Sequence, residues 1–262
     1  MHDKDYLTTH LADSEELELA KRIIDQAEQA LRKHQPQETI FLNPHLRDVV
    51  WGVLDNMAEV KFRSFGGYHD AERQRLVIVP DYYLWETLES PVTCLEIRGN
   101  FQFQQVSHRD FLGAILGLGI KREMMGDLLV QKDGCQVIVA AEIADAVLFK
   151  LKQVHEVPVE VFVIEEEELQ AAEARTKEIR STVPSLRLDA VASSGFSVSR
   201  SQMARLIKSQ RVKLNWKVEE NPAAQVEEGA MISVSGKGRA RLAAIEGESR
   251  RGRIKILMEK YI

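Results

Sequence analysis

The chain has 262 residues and a mass of 29.8 kDa, enough for two or three small domains with a buried core. Its 44% hydrophobic and 29% charged residues argue against wholesale disorder, and two distant cysteines, Cys94 and Cys135, without a C-x-x-C pair exclude a disulfide framework or a zinc ribbon. The net charge of −5 hides an asymmetry: residues 1–183 carry 20 Lys and Arg against 32 Asp and Glu (−12), and residues 184–262 carry 15 against 8 (+7). A basic C-terminal segment on an acidic body is the electrostatic footprint of a polyanion-binding module. No apolar run approaches the ~18 residues needed to cross a bilayer, and the start lacks the apolar stretch of a signal peptide. The expectation is a cytoplasmic protein with no membrane insertion.

In chain order, Asp13 to Glu16 offer a helix cap, and Leu17, Ala20, Ile23, Ile24, Ala27 and Leu31 recur at helical spacing until Pro36. Asn43-Pro44 opens a second helix with an apolar face of Leu46, Val49, Val50, Val53 and Leu54. Val60 to Phe65 and Arg75 to Val79 read as a hairpin with a long basic-edged loop around Gly66-Gly67. From residue 91 the order predicted is strand (Cys94 to Phe103), helix (Ser107 to Leu118), strand (Asp127 to Gln131), strand (Cys135 to Ala140), helix (Glu142 to Gln153) and strand (Val157 to Ile164). That β-α-β-β-α-β order is the one of ferredoxin-like folds and the RNA-recognition motif. Cys135 to Val139 carries none of the stacking aromatics of such motifs, so the order speaks for shape and not for base stacking. Residues 166–183 read as a charged, helix-prone connector. The organisation expected is 1–90 helices and hairpin, 91–165 ferredoxin-like domain, 166–183 connector and 184–262 basic domain, an α+β protein throughout.

The basic segment is the most informative. Ser199 can cap a helix, with Gln202 reaching back, over a buried stripe of Met203, Leu206 and Ile207. At 100° per residue Ser201, Arg205 and Lys208 share an exposed face, with Arg200 at its N-terminal edge where helix amides favour phosphate. Arg211 to Asn215 alternates like a strand, and Gly236-Lys237-Gly238-Arg239 is a flexible basic loop. Several cations are thus expected to converge on one side of an α-β unit, suited to a sugar-phosphate backbone.

Arg187-Leu188-Asp189, Ser199-Arg200-Ser201, Leu206-Ile207, Val212 with Asn215, and the Gly236 to Arg239 loop resemble the S4 RNA-binding domain. Gln210-Arg211 replaces its usual glycine, and Ala230 stands where an aspartate commonly follows Gly229. The run from His108 through Arg109-Asp110-Phe111-Leu112-Gly113 to Gly126-Asp127, with Gly66-Gly67-Tyr68 and Ala71-Glu72-Arg73, is similar to the YlmH family, whose photosynthetic members are called photosystem II S4 domain proteins. The resemblance covers nearly the whole chain from about residue 40. It implies structured rRNA and tRNA as ligands, since bacterial relatives are linked to stalled large ribosomal subunits carrying peptidyl-tRNA. The RNA contacts it implies, together with the helix geometry, are Arg187, Ser199, Arg200, Ser201, Arg205, Lys208, Arg211, Lys213, Asn215, Lys237, Gly238 and Arg239.

Elsewhere the chemistry is sparse. Ser107, His108 and Asp110 are adjacent residues on a helix start and cannot line up a nucleophile, base and orienter, so an N-cap with a first-turn acid is the simpler reading. Gly113 and Gly117 smooth one side of that helix and suggest close approach by another backbone. Arg63, Gly66, Gly67, Arg73, Lys121 and Arg122 are candidate secondary anion contacts, the paired glycines leaving amides accessible. The seven histidines form no ligand cluster, and no G-x-G loop follows a strand, so no metal and no cofactor are expected. The leading expectation is a non-enzymatic protein that docks on structured RNA of the large ribosomal subunit, in ribosome-associated quality control or a related process. The alternative is an S4-domain RNA-modifying enzyme of pseudouridine synthase or methyltransferase type.

Overall fold

The computed structural model describes residues 4–9, 11, 13–102, 104, 106–170, 176–249 and 252–261. They divide into two compact units, Met1–Ala171 and Ala172–Ile262.

In the first unit α1 (Lys4–Thr8) precedes α2 (Ser14–Lys33), which begins where the Asp13 carboxylate accepts the amides of Glu15 and Glu16 at 2.9 and 3.3 Å. The spacing of Ala20, Ile23, Ile24 and Ala27 turns one face of α2 inward, and all four are buried. After β1 (Gln37–Glu38), α3 (Pro44–Leu54) is capped by Asn43, whose side chain accepts the Leu46 amide at 2.9 Å. β2 (Val60–Phe65) and β3 (Arg75–Pro80) form the expected antiparallel hairpin in a sheet of order β1-β3-β2. Ile23, Ile24, Val50, Leu54, Leu76 and Ile78 close a core between the helices and this sheet.

The same unit continues with β4 (Val92–Gly99), α4 (His108–Leu116), β5 (Met125–Val130), β6 (Gly134–Ala140), α5 (Ala144–Lys150), β7 (Gln153–Val154) and β8 (Val157–Ile164). The sheet order β5-β6-β4-β8-β7 is ferredoxin-like with a short added strand. Two elements are shorter than the sequence suggests. The strand expected to reach Phe103 stops at Gly99, because the Phe101 amide bonds back to the Gly99 carbonyl at 3.2 Å and folds the Phe101 ring onto Phe111, 5.4 Å between centroids; Phe103 lies outside the described residues. The helix expected to run to Gln153 ends at Lys150, since Gln153 and Val154 pair with Pro158 and Val157 in a hairpin.

Leu95, Ile97, Val137 and Val139 face α4 and α5. On the other face of the sheet Cys94, Ile138 and Ala140 pack against Phe41, Phe65, Tyr68 and Leu169. Strand β6 is therefore buried along its whole length. This explains the missing aromatics: the face that an RNA-recognition motif offers to bases is covered here by the chain's own N-terminal residues.

The second unit contains β9 (Thr176–Val183), α6 (Leu188–Gly195), α7 (Arg200–Lys208), β10 (Val212–Leu214), β11 (Lys217–Val218), β12 (Met231–Val234), β13 (Gly238–Glu248) and β14 (Ile254–Tyr261), in a sheet of order β11-β10-β12-β13-β14-β9. The helix-prone connector is thus corrected at its end: Thr176 to Val183 is a strand, paired with β14 from Tyr261 to Ile254. Its β-branched Thr176, Ile179, Thr182 and Val183 suit a pleated surface better than a helix. Of the rest of that connector, Glu166–Glu168 is a single 3-10 turn, and residues 171–175 lie outside the described residues. Leu188, Val191, Met203, Ile207, Val212, Ile232, Leu242 and Met258 form the core between α6, α7 and one face of the sheet.

Candidate nucleic-acid interface

The start of α7 shows the predicted cap: the Ser199 hydroxyl accepts the Gln202 amide at 3.2 Å and lies 3.2 Å from the Ser201 hydroxyl. Met203 and Ile207 are fully buried and Leu206 partly so, which leaves Ser201, Arg205 and Lys208 exposed on the outer side. Among the described residues neither Arg205 nor Lys208 has an ion-pair partner.

Arg187 and Arg200 are placed differently. Both converge on Asp189, which is only 5% exposed: Arg187 donates to its two oxygens at 3.2 and 3.1 Å, and Arg200 donates at 3.1 Å. Burial alone would raise the Asp189 carboxyl, but the hydrogen bonds and charges of the two guanidinium groups outweigh it and hold the carboxyl below its ordinary range. Asp189 therefore fixes both arginines on the helix side of the unit. In the sequence Asp189 is a motif residue without an assignable role, since its function depends on a second arginine eleven residues away.

The strand register corrects the expectation that strand and helix cations converge on one side. Lys213 pairs with Ser233, Ser233 with Arg239, and directly opposite residues point to the same face of a sheet. Their neighbours Val212, Ile232 and Ala240 point into the core beneath α6 and α7, so Lys213 and Arg239 project from the opposite face. There the Arg239 guanidinium lies over the Tyr261 ring at 4.8 Å. Lys237 and Gly238 are exposed at the turn joining β12 and β13, next to Arg211, whose guanidinium reaches the Ser235 carbonyl at 3.4 Å. Asn215 is a turn residue: at φ 48° it exchanges hydrogen bonds with Met231, its side chain accepting the Met231 amide at 2.9 Å. Gln210 takes the left-handed conformation at φ 59°, a conformation that glycine adopts without strain.

Four of the six secondary anion contacts, Gly66, Gly67, Arg73 and Arg122, are corrected as well. Gly66 and Gly67 are buried, and a Cβ on Gly67 would meet Ile138 at 2.9 Å, so their amides do not open to solvent. Arg73 donates to the carbonyls of Met125 and Phe41 at 3.0 and 2.9 Å, and Arg122 to those of Met125 and Gly126 at 2.7 and 3.0 Å. Burial and the neighbouring Arg73 charge bring Arg122 down to about 10, which leaves it protonated at neutral pH. Arg63 stacks on Trp85 at 4.6 Å and Lys121 lies 3.8 Å from Glu123, both on the surface. The centre of this cluster is Asp127, which accepts from the Tyr68 hydroxyl at 2.8 Å and the Glu72 and Arg73 amides at 2.7 and 3.2 Å. Gly126 beside it has no room for a side chain, because a Cβ would stand 2.7 Å from the Phe41 ring. These motif residues clamp the hairpin loop onto the five-stranded sheet.

At the start of α4 the Asp110 carboxylate accepts both the amide and the hydroxyl of Ser107, at 2.8 and 2.6 Å, and those bonds lower it. That is a capping arrangement. Within the chain's own described residues nothing packs on the glycine side of α4: a Cβ on Gly113 would meet nothing within 4 Å, and one on Gly117 only carbonyls of its own helix. Among the described residues no three His, Cys, Asp or Glu side chains are grouped to hold a metal ion, and no helix is long and apolar enough to cross a membrane.

Three stretches match known domain families: residues 15–83 the "YlmH, N-terminal" domain, residues 88–168 the "Putative RNA-binding domain in YlmH", and residues 186–232 the S4 domain. The chain is 35% identical over 244 residues to the ribosome-associated protein quality control protein P2 of Bacillus subtilis, covering 92% of this chain and 95% of that one. A solved structure described as cell division protein ylmH from Streptococcus pneumoniae has the same fold over 61% of this chain and 98% of its own, with a TM-score of 0.52 at 22% identity. The chain belongs to the YlmH family.

Proposed function

We propose that this YlmH-family protein binds structured RNA of the large ribosomal subunit and tRNA through its C-terminal unit, in ribosome-associated quality control, and does so without chemistry of its own. The observation that carries the reading is the outer face of α7. Arg205 and Lys208 stand exposed there beside Arg200, in a segment of net charge +7 that follows a body of −12. Unpaired cations on one helix face attract a phosphate backbone and release its counterions. The S4 match and the relative named for ribosome-associated quality control support the ribosomal assignment. In the first unit the arginines of the motif hold backbone carbonyls, the Ser107–Asp110 pair caps a helix, and the sheet face of the ferredoxin-like domain is covered. These residues of the first unit, part of which matches the putative RNA-binding domain, are read as structural, and the phosphate contacts are assigned to the second unit.

Crosslinking the protein to RNA in cells, and sequencing what is recovered, tests the reading. Reads concentrated in helices of the large-subunit rRNA and in tRNA, lost with Arg205→Ala/Lys208→Ala, are expected. Background RNA alone would overturn it in favour of a protein-binding assembly factor. A modified nucleotide missing from a deletion strain would overturn it in favour of the enzyme.

A further inference from the structure

A cleft of about 410 Å³ lies in the second unit, where β9 and the start of β14 meet α6 and the start of α7. Its polar lining consists of Ser181, Thr182, Ser193, Ser194, Arg200 and Arg253, and no acidic side chain among the described residues lines it. Ser193, Ser194 and Arg200 fall within the residues matched to the S4 domain; Ser181, Thr182 and Arg253 lie outside them.

The donors and acceptors in the cleft are sorted. Ser193 donates its hydroxyl proton to the Ala190 carbonyl at 2.9 Å and Ser194 donates to Val191 at 2.8 Å. What remains on both oxygens is lone pairs, so toward a ligand they accept. The guanidinium groups can only donate. Arg200 has one nitrogen on Asp189 and Arg253 has one on the Thr182 carbonyl, which leaves most of their N–H groups available. Arg253 is also set in place before any ligand arrives. Its amide bonds to the Ser249 hydroxyl at 3.1 Å, its carbonyl accepts the Ser249 amide at 2.7 Å, and its side chain is braced against β9. A preset side chain loses less conformational entropy on binding.

A ligand that fits must present an anion to two guanidinium groups and a hydroxyl donor to two serine oxygens within one small cleft. We propose that this cleft takes one ribose-phosphate unit of the RNA backbone, the phosphate on Arg200 and Arg253 and the 2′-hydroxyl donating to Ser193 or Ser194. The 2′-hydroxyl is the group by which a protein tells RNA from DNA. The cleft would therefore supply the sugar discrimination that Arg205 and Lys208, which read phosphate alone, cannot. This proposal rests on the RNA-binding reading above and goes beyond it.

The test uses the full chain with a fluorescently labelled RNA stem-loop and the DNA stem-loop of the same sequence, titrated at several salt concentrations. The wild type is expected to prefer RNA. Arg253→Ala should weaken RNA binding and reduce the slope of log affinity against log salt by roughly 0.7 to 0.9, one phosphate contact, and Arg253→Lys should restore part of it. Ser193→Ala/Ser194→Ala should lower RNA affinity several-fold, leave DNA affinity unchanged, and so shrink the RNA preference. Wild-type slope and RNA preference in both variants, with RNA still bound, would overturn the cleft and leave the RNA-binding reading standing. No RNA binding by the wild type would instead overturn that reading. A fall in melting temperature in the arginine variant without a change in slope would make Arg253 a strand brace only.

Discussion

The difference between free and tethered cations on one helix gives the sharpest quantitative expectation. Arg205 and Lys208 are exposed and have no ion-pair partner among the described residues, whereas Arg200, on the same helix, bonds to the buried Asp189. Replacing Arg205 and Lys208 together with alanine removes two phosphate contacts, each contributing roughly 0.7 to 0.9 to the salt slope. Between 50 and 200 mM salt, a fourfold change, the affinity gap between wild type and variant should narrow by about 7- to 12-fold. Stability should stay within about 0.5 kcal/mol, because exposed substitutions touch no packing. Arg200→Ala should differ in stability: it leaves a buried carboxylate with one arginine instead of two, at a cost of about 1 to 3 kcal/mol to the second unit. For a domain of that size this is a fall in melting temperature of about 4 to 8 °C per kcal/mol. Lys213→Ala is the control on the other face of the sheet and should change the slope little. Fluorescence anisotropy across a salt series, with thermal melts of each variant, reads all of these. A wild-type slope in the double variant, or a melt as low as that of Arg200→Ala, would refute the division into free and tethered cations.

Three further expectations concern the scaffold and its titration. Asp127→Ala should destabilise the first unit by about 1 to 3 kcal/mol, since three donors lose a shared acceptor beside two half-buried arginines; an unchanged midpoint in urea would show that the clamp contributes nothing. Asp189 is lowered in the folded state, so its stabilising effect is present above the unfolded value near 3.9 and is lost as pH falls through its folded value. The second unit should therefore lose stability steeply below about pH 4, and Asp189→Asn, less stable at neutral pH, should show a flatter acid limb by circular dichroism; parallel limbs would remove Asp189 from the account. Burial pushes both Cys94 and Cys135 up to about 12, so a thiol reagent at pH 8 should label them only after unfolding. Rapid labelling of the native protein would contradict the packing around β4 and β6.

What could be read from the sequence was what depends on neighbours along the chain. The caps at Asp13, Asn43 and Ser199, the stripes of α2 and α7 and the order of strands and helices in the ferredoxin-like domain all follow from periods and short spacings. The errors come where a distant partner decides. Thr176 to Val183 is a strand because β14, some eighty residues later, offers it an edge along its full length. Arg73 and Arg122 look like surface cations in the sequence, yet carbonyls of Phe41, Met125 and Gly126 surround them in the fold. Lys213 and Arg239 match the pattern of an RNA-contacting set, but alternation along β10 and β13 points them away from the helices. That parity could have been drawn from the sequence: Val212 and Ala240 are the apolar partners that had to face inward, and a residue next to one along a strand faces out. The pair Arg187 and Arg200 could not have been drawn from it. Two arginines thirteen residues apart become one device only when α6 and α7 bring them to the two oxygens of Asp189, and the same convergence leaves Arg205 and Lys208 as the cations of α7 without an ion pair among the described residues.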